Sequence, residues 1–232
     1  MMENKKRKEL LEAYEDLRVT DVRDGMDTLM LHSFGSMTPN IRPVNPPPIR
    51  AFGIAKTVRY LPFEGEIPYI EPDKYMRWAN KYYRRVCSYK WMGDIQEGDF
   101  IVIDASGVDS GLMGSENSLI GIRLGAHGYV SNGGVRDTDE IIIQKVPFWS
   151  AIISQSMVQG RLQYDTCDIP VSVGGVTVNP GDIVVADNDG VIVVPQKIAL
   201  KVAYYANEEH ERDKKSRRSI YKGLGMEPDD TV

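Results

Sequence analysis

Residues 97–137 read "EGDFIVIDASGVDSGLMGSENSLIGIRLGAHGYVSNGGVRD": an apolar strand, a helix and a second strand, punctuated by glycines. No other feature constrains the fold as much, because two adjacent strands joined through a helix run parallel. Residues 97–104 form a turn followed by a strand. Residues 115–124 read as a helix closed by Gly125, which can take the left-handed position after a helix end, and residues 128–131 form a short second strand. Parallel strands bring their C-terminal ends to one sheet edge, where ligands of such sheets collect. The two glycine-bounded stretches at 111–114 and 133–137 are therefore expected to be loops facing each other across that edge.

The flanking segments fill out this unit. Leu10, Leu11, Tyr14 and Leu17 recur at helical spacing and predict an amphipathic helix over residues 5–18. Thr20 offers an N-cap oxygen to a second helix running towards Met30, with Asp21 and Asp24 placing negative charge in its first turn. Four prolines in "PVNPPPIR", residues 43–50, mark an extended connector before a strand around 53–60. Residues 73–91 are rich in Tyr, Trp and Arg, and Met76, Ala79, Tyr83 and Val86 are spaced to share one helix face. From residue 169 onward, apolar runs surround Gly-Gly, Asn-Pro-Gly and Asn-Asp-Gly, the signals of antiparallel hairpins. "PGDIVVAD" at 180–187 echoes "EGDFIVID" at 97–104, which we read as one turn-then-strand device used twice. A long charged helix at 197–222 has few apolar positions and suits support from a neighbouring subunit. The expected fold is one α/β domain over 1–232: N-terminal helices in 1–42, a core of mixed sheet with antiparallel C-terminal hairpins in 49–195, and a C-terminal helix in 196–223.

With 42% hydrophobic residues in 232, the chain can fill a packed core. A net charge of -5 provides no broad cationic face, so nucleic acid is not an expected partner. Cys87 and Cys167 stand far apart without metal-type spacing, which argues against a disulfide framework or zinc knuckle and fits the reduced cytoplasm. The first residues lack an apolar signal core and no run is long enough to cross a bilayer, so the expectation is a soluble cytosolic protein.

Chemistry concentrates at the two glycine stretches. Glycines admit close approach of backbone N–H groups to a ligand, and a helix start carries unpaired donors, so "GLMG" ahead of Ser115 is a candidate anion seat. Arg136 supplies a rigid fork of donors for a carboxylate, and Asp137 a hard oxygen ligand for Mg²⁺ or Mn²⁺. The bland alternative, favoured for so short a motif, is a surface ion pair that caps a helix beginning near Thr138. His32, His127 and His210 lack partners at metal spacing, and Asp187 and Asp189 read as turn formers. "YMRWANKYYRRV" has the residues to stack nucleobases, but its helical spacing points first to subunit packing or a pocket wall.

Taken in order, "GLMGSENSLIGIRLGAHGYVSNGGVRDTDEI", "VPFWS", "NPGDIVVADNDGVIVVP" and the charged C-terminal helix resemble the RraA-like proteins over roughly residues 21–223. That family includes divalent-metal 4-hydroxy-4-methyl-2-oxoglutarate aldolases and regulators of ribonuclease E activity. The resemblance implies a swivelling α/β/β fold, assembled as a homotrimer or homohexamer with active sites between subunits. It implies that Arg136 binds the carboxylate and keto oxygen of a keto-acid substrate and that Asp137 holds Mg²⁺ or Mn²⁺. Backbone amides of Leu112, Met113 and Gly114 would seat the pyruvyl carboxylate beside Ser115. The implied reaction is a metal-dependent lyase cleavage of a 2-keto diacid, by retro-aldol or by oxaloacetate decarboxylation, through a pyruvate enolate. The regulators generally lack the aspartate after that arginine, so Asp137 favours an enzyme over a non-catalytic binding protein. Ser115 stands where the family commonly has an acidic residue, with Glu116 one place later, and Asn132 stands where an aspartate is usual. Glu116 is thus a candidate for proton transfer, as are Glu209 and Asp213 donated by the C-terminal helix of the next subunit.

Overall fold

The computed structural model describes residues 2–232; Met1 lies outside them. In chain order its elements are α1 (Asn4–Tyr14), α2 (Val19–Thr28), β1 (Arg42–Pro43), β2 (Ala51–Pro62), α3 (Tyr75–Arg85) and β3 (Asp99–Asp104). There follow β4 (Gly111–Met113), α4 (Ser115–Arg123), β5 (Ala126–Val135), α5 (Thr138–Ile143), β6 (Phe148–Ile153) and β7 (Leu162–Cys167). The chain ends with β8 (Val171–Val173), β9 (Val176–Val178), β10 (Ile183–Ala186), β11 (Val191–Val194) and α6 (Ala199–Leu224).

The main sheet runs β1-β6-β5-β3-β2-β10-β11, with β4 beside β5 and β7 beside β2. Strands β2, β3, β5 and β6 are parallel, and β1, β7, β10 and β11 pair antiparallel at their neighbours. The β3-α4-β5 crossover expected from the sequence is therefore present, with β3 and β5 adjacent. Alternation along β2 decides what each face meets. Ile54, Val58 and Tyr60 point to the helical side, where α1, α2 and α6 cover β10 and β11 and where α3 and α4 cover β3 and β5. Ala51 and Ala55 point to the opposite side, against Phe100, Val102, Val130, Trp149 and the four valines of the β8-β9 hairpin. Helices, large sheet and small sheet make three layers, the mixed α/β arrangement that the sequence implied. Gly174 and Gly175 both take positive φ (58° and 77°), as a two-residue turn twisting with its strands requires.

Several boundaries differ from expectation. α1 stops at Tyr14, four residues early, and buried Leu17 bonds back to the Tyr14 carbonyl in the turn to α2. Arg18, not Thr20, occupies the N-cap of α2, because Asp21 accepts the Arg18 backbone N–H at 2.9 Å and pairs with its guanidinium. The helix in 73–91 is confined to Tyr75–Arg85 and buries Ala79 and Tyr82, while Met76 is exposed. Tyr82 wins the inner face because its hydroxyl reaches the Leu162 carbonyl at 2.9 Å.

The packing of α4 on β5 depends on having no side chain at Gly121. A Cβ there would lie 1.9 Å from the Tyr129 hydroxyl oxygen, which donates to the Ser118 carbonyl at 2.8 Å. Gly121→Ala should therefore destabilise the fold by about 2 kcal/mol in urea unfolding. The loss should shrink in a Tyr129→Phe background; equal losses in both backgrounds would show that this contact is not responsible.

Candidate active site

Both stretches expected to be loops are partly strand, while Gly114, Arg136 and Asp137 lie outside the strands. Gly133 and Gly134 lie inside β5, and Gly111–Met113 pairs parallel to its end, Gly111 opposite Gly134 and Met113 opposite Val135. The glycines permit the pairing: a Cβ on Gly134 would sit 2.5 Å from the Ser110 carbonyl oxygen. The register of β5 against β6 shifts between Ser131 and Gly134, which turns the strand end.

This short ladder sets the positions of Arg136 and Asp137. The Arg136 backbone N–H donates to the Met113 carbonyl at 2.9 Å, so Arg136 starts in register with β4. Its side chain lies across Gly111, where a Cβ would approach Arg136 Cδ to 2.6 Å. Asp137 takes the left-handed conformation, φ 56° and ψ 43°, which carries its carboxylate over Gly114. One oxygen lies 3.3 Å from the Ser115 amide nitrogen at the start of α4, and the other lies 3.2 Å from Arg136 Nε. Arg136, Asp137, Gly114 and Ser115 are thus brought together as expected. The ion pair of the bland alternative is real, but Asp137 makes no side-chain cap on α5. Its carboxylate serves α4 instead. Both side chains keep about a third of their surface exposed, 33% and 35%, and the terminal guanidinium nitrogens of Arg136 have no partner among the described residues.

The neighbouring residues sort by contact. Leu112 and Met113 are buried; the Leu112 N–H donates to the Ser110 carbonyl at 2.8 Å, and the Leu112 carbonyl accepts from the Tyr89 hydroxyl. Burial raises the Tyr89 pKa well above the ordinary tyrosine value, with nearby Arg136 opposing the shift, so it stands as a neutral donor. Nothing in the spacing of the Tyr-rich stretch singled out Tyr89. Glu116 is exposed in the first turn of α4. Asn132, in place of a second carboxylate, braces the scaffold: its oxygen accepts the Ala105 amide at 2.7 Å and its nitrogen donates to Asp104 at 2.8 Å. No group of three or more His, Cys, Asp or Glu that could hold a metal occurs among the described residues.

Two of the other singled-out residues have partners away from Arg136. His127 contacts the Phe52 carbonyl and Glu97, and Asp187 accepts the Asp189 and Val19 amides as a turn former. Both cysteines are free, with burial pushing the Cys87 thiol up to about 12. No helix among the described residues is long and apolar enough to cross a membrane.

Residues 19–193 match the family model described as RraA-like: Aldolase/RraA. The chain belongs to the RraA-like family. Its relatives include the "Putative 4-hydroxy-4-methyl-2-oxoglutarate aldolase" of Deinococcus radiodurans, 35% identical over 42% of this chain and 61% of that protein. The protein of that same name from Halalkalibacterium halodurans is 31% identical over 56% of this chain and 62% of its own length. Protein DlpA of Legionella pneumophila is 28% identical over 63% of this chain, which spans only 22% of DlpA. The chain thus spans less than two thirds of these relatives. Among solved structures, an uncharacterized protein from Pseudomonas syringae is 26% identical with a TM-score of 0.73, covering 92% of this chain and 93% of that one. RraAS2 of Streptomyces coelicolor, described as an unusual member of the RNase ES inhibitor RraA protein family, shares the fold with a TM-score of 0.69 at 24% identity, over 90% and 96% of the two chains.

In this RraA-like chain α6 packs on α1 and α2, so within one subunit Glu209 and Asp213 are not brought to Arg136. Glu209 pairs with Arg212, while Asp213 lies 3.7 Å from Arg18 and 3.4 Å from Arg217. The helices cross closely at Gly25, where a Cβ would meet the Val202 carbonyl at 2.7 Å. Beside that crossing, Asp21 is 1% exposed, held by Arg18 at 2.6 Å and by His210 at 3.0 Å. Burial opposes ionisation of Asp21, but the hydrogen bonds and charge of Arg18, with His210 adding to them, outweigh it and hold the carboxyl below its ordinary value. A depressed folded-state pKa stabilises above the unfolded value and the gain is lost as pH falls through the folded one. Asp21→Asn should therefore cost about 2 kcal/mol at pH 7, less than a fully buried pair because Arg18 is partly exposed. The gap between variant and wild type should close as the pH of urea unfolding falls below about 4; a gap constant with pH would exclude this ion pair as the cause.

Proposed function

We propose that this RraA-like chain is a divalent-metal-dependent lyase that cleaves a C–C bond of a 2-keto diacid through a pyruvate enolate. One observation carries the reading: Arg136 and Asp137 lie against Gly111, Gly114 and the Ser115 amide, so a small dianion is met by a guanidinium on one side and a helix start on the other. The relatives named as aldolases support the same reaction class.

The donor set suits Mg²⁺ or Mn²⁺, which bind through one or two protein carboxylates plus water and substrate oxygens; it does not suit a closed four-ligand zinc site. Asp137 would hold the ion, which when bound supplies Lewis-acid stabilisation of developing negative charge. Arg136 does the positioning, because its Nε is committed to Asp137 while its terminal nitrogens remain free for the substrate carboxylate and keto oxygen. As the bond breaks, charge accumulates on the keto oxygen and the same guanidinium opposes it. Retro-aldol cleavage of 4-hydroxy-4-methyl-2-oxoglutarate requires loss of the C4 hydroxyl proton and protonation of the enolate carbon, giving two pyruvates. Oxaloacetate gives pyruvate and carbon dioxide through the same enolate. Glu116, exposed two residues past Gly114, is a candidate to move that proton, and Glu209 or Asp213 would do so from an adjacent subunit of a trimer or hexamer.

Pyruvate release from both substrates should require Mg²⁺ or Mn²⁺ and stop with chelator. Arg136→Ala should lower kcat by about 10²- to 10³-fold, and Asp137→Ala should remove the metal-stimulated rate with the fold intact. The rival reading, a non-catalytic regulator, requires no chelator-sensitive turnover of either substrate and little effect of Asp137→Ala on partner binding.

A further inference from the structure

The helical layer is split above β2. Ile54 packs into the cluster under α1, α2 and α6, Val58 packs into the cluster under α3 and α4, and Lys56 stands between them on the same face of the strand. The seam opens as a cleft of about 930 Å³, floored by Lys56 and bordered by the start of α1, residues 94–99 and Gln196. Asp99, the first residue of β3, lines it, whereas Arg136 follows the last residue of β5. Because β3 and β5 are parallel, the cleft and the Arg136 site lie at opposite ends of the sheet.

An ammonium in a central strand is costly to bury unless it is paired and fully hydrogen-bonded. The Lys56 side chain is 7% exposed, and its Nζ meets only Asp168, at 3.2 Å from both carboxylate oxygens. That partner is itself 53% exposed. An ammonium carries three donors, so at least one N–H of Lys56 has no acceptor among the described residues. Gln96 and Gln196 line the same cleft, and their side-chain amides make no hydrogen bond among the described residues, although Asp99 and Asp182 hold their backbone N–H groups. A buried cation and two carboxamides with free donors suit a carboxylate.

The rest of the lining sets the charge of the other end. Arg7 is committed to the protein: it donates to the Glu97 carbonyl from Nε at 3.1 Å and from Nη2 at 2.6 Å, and to Asp99 at 2.7 Å, tying α1 to the start of β3. With Arg7 paired to Asp99 and Lys56 to Asp168, Lys6 remains against Glu3 and Asp94, a surplus of one negative charge. Those three are exposed and form no ion pair among the described residues. The cation is thus buried in the floor and the surplus acids stand at the rim. A dianion is disfavoured there, whereas a molecule with an inward carboxylate and an outward ammonium meets opposite charge at both ends.

We propose that this cleft is a binding site for a small zwitterion, an amino acid, with its carboxylate on Lys56, Gln96 and Gln196 and its ammonium towards Glu3 and Asp94. The cleft falls in the size range of small-molecule sites. The site is separate from Arg136 and Asp137 and stands whether or not the lyase reading holds.

The test titrates full-length protein calorimetrically with L-norleucine and 6-aminohexanoate, isomers that carry the ammonium beside or far from the carboxylate, and with hexanoate, which has none. At least one isomer should bind wild type at least tenfold more tightly than hexanoate; which one separates α-amino acids from ω-amino acids. Lys56→Gln should weaken that binding at least tenfold, and the exposed double variant Glu3→Gln/Asp94→Asn should reduce it to the level of hexanoate. Arg136→Ala should bind as wild type does. If Lys56→Gln fails to fold by circular dichroism, the rim variant decides, and full affinity in that variant overturns the proposal. So does failure of both isomers to bind wild type, hexanoate binding as tightly as either, or loss of binding in Arg136→Ala, which would place the ligand at the other end of the sheet.

Discussion

The site depends on two backbones lying closer together than side chains allow. β4 can join β5 only because Gly134 has no Cβ to strike the Ser110 carbonyl, and Arg136 and Asp137 can lie over β4 only because Gly111 and Gly114 present bare backbone. A methyl group at any of the three would meet an atom at 2.6 Å or less. The glycines thus act as spacers that bring a guanidinium and a carboxylate onto the start of α4. Their conformational freedom matters less: none of the three is among the positive-φ glycines.

The strain falls on Asp137. A left-handed aspartate costs about 1 kcal/mol, modest because its short polar side chain tolerates that region. An extended residue here would aim its side chain elsewhere, whereas this one aims the carboxylate at the Ser115 amide and Arg136 together. The carboxylate is shared between a cation and a helix start. A divalent ion would replace attractions of the same sign, so binding exchanges partners without exposing a buried charge. The rigid parallel strands behind it keep that exchange local.

Much of this was legible in the sequence. The β3-α4-β5 crossover follows from apolar runs separated by glycines, the hairpins from Gly174-Gly175 and Asn188-Asp189-Gly190, and the facing of residues 111–114 and 133–137 from the shared edge of parallel strands. The extent of β5 was not legible, because Gly133-Gly134 reads as a turn until a second backbone is known to pass beside it. Thr20 looked like a cap, yet Asp21 captured Arg18 and moved the helix start forward; the tertiary pull of His210 on Asp21 lies outside any local pattern. Tyr89 carried no signal because its partner is a carbonyl 23 residues away. That α6 packs on α1 and α2, away from Arg136, was also not legible in its charged pattern.

The most direct measurement is a crystal structure of the protein soaked with Mn²⁺ and oxalate, a planar dianion resembling enolpyruvate, with anomalous scattering locating the metal. If Arg136 and Asp137 grip a dianion against α4, Mn²⁺ will lie about 2.1 Å from an Asp137 carboxylate oxygen. Oxalate will bridge the metal and the Arg136 guanidinium, beside the Gly114 and Ser115 backbone. Mn²⁺ elsewhere in the molecule, with Asp137 still on the Ser115 amide and no oxalate at Arg136, would contradict it.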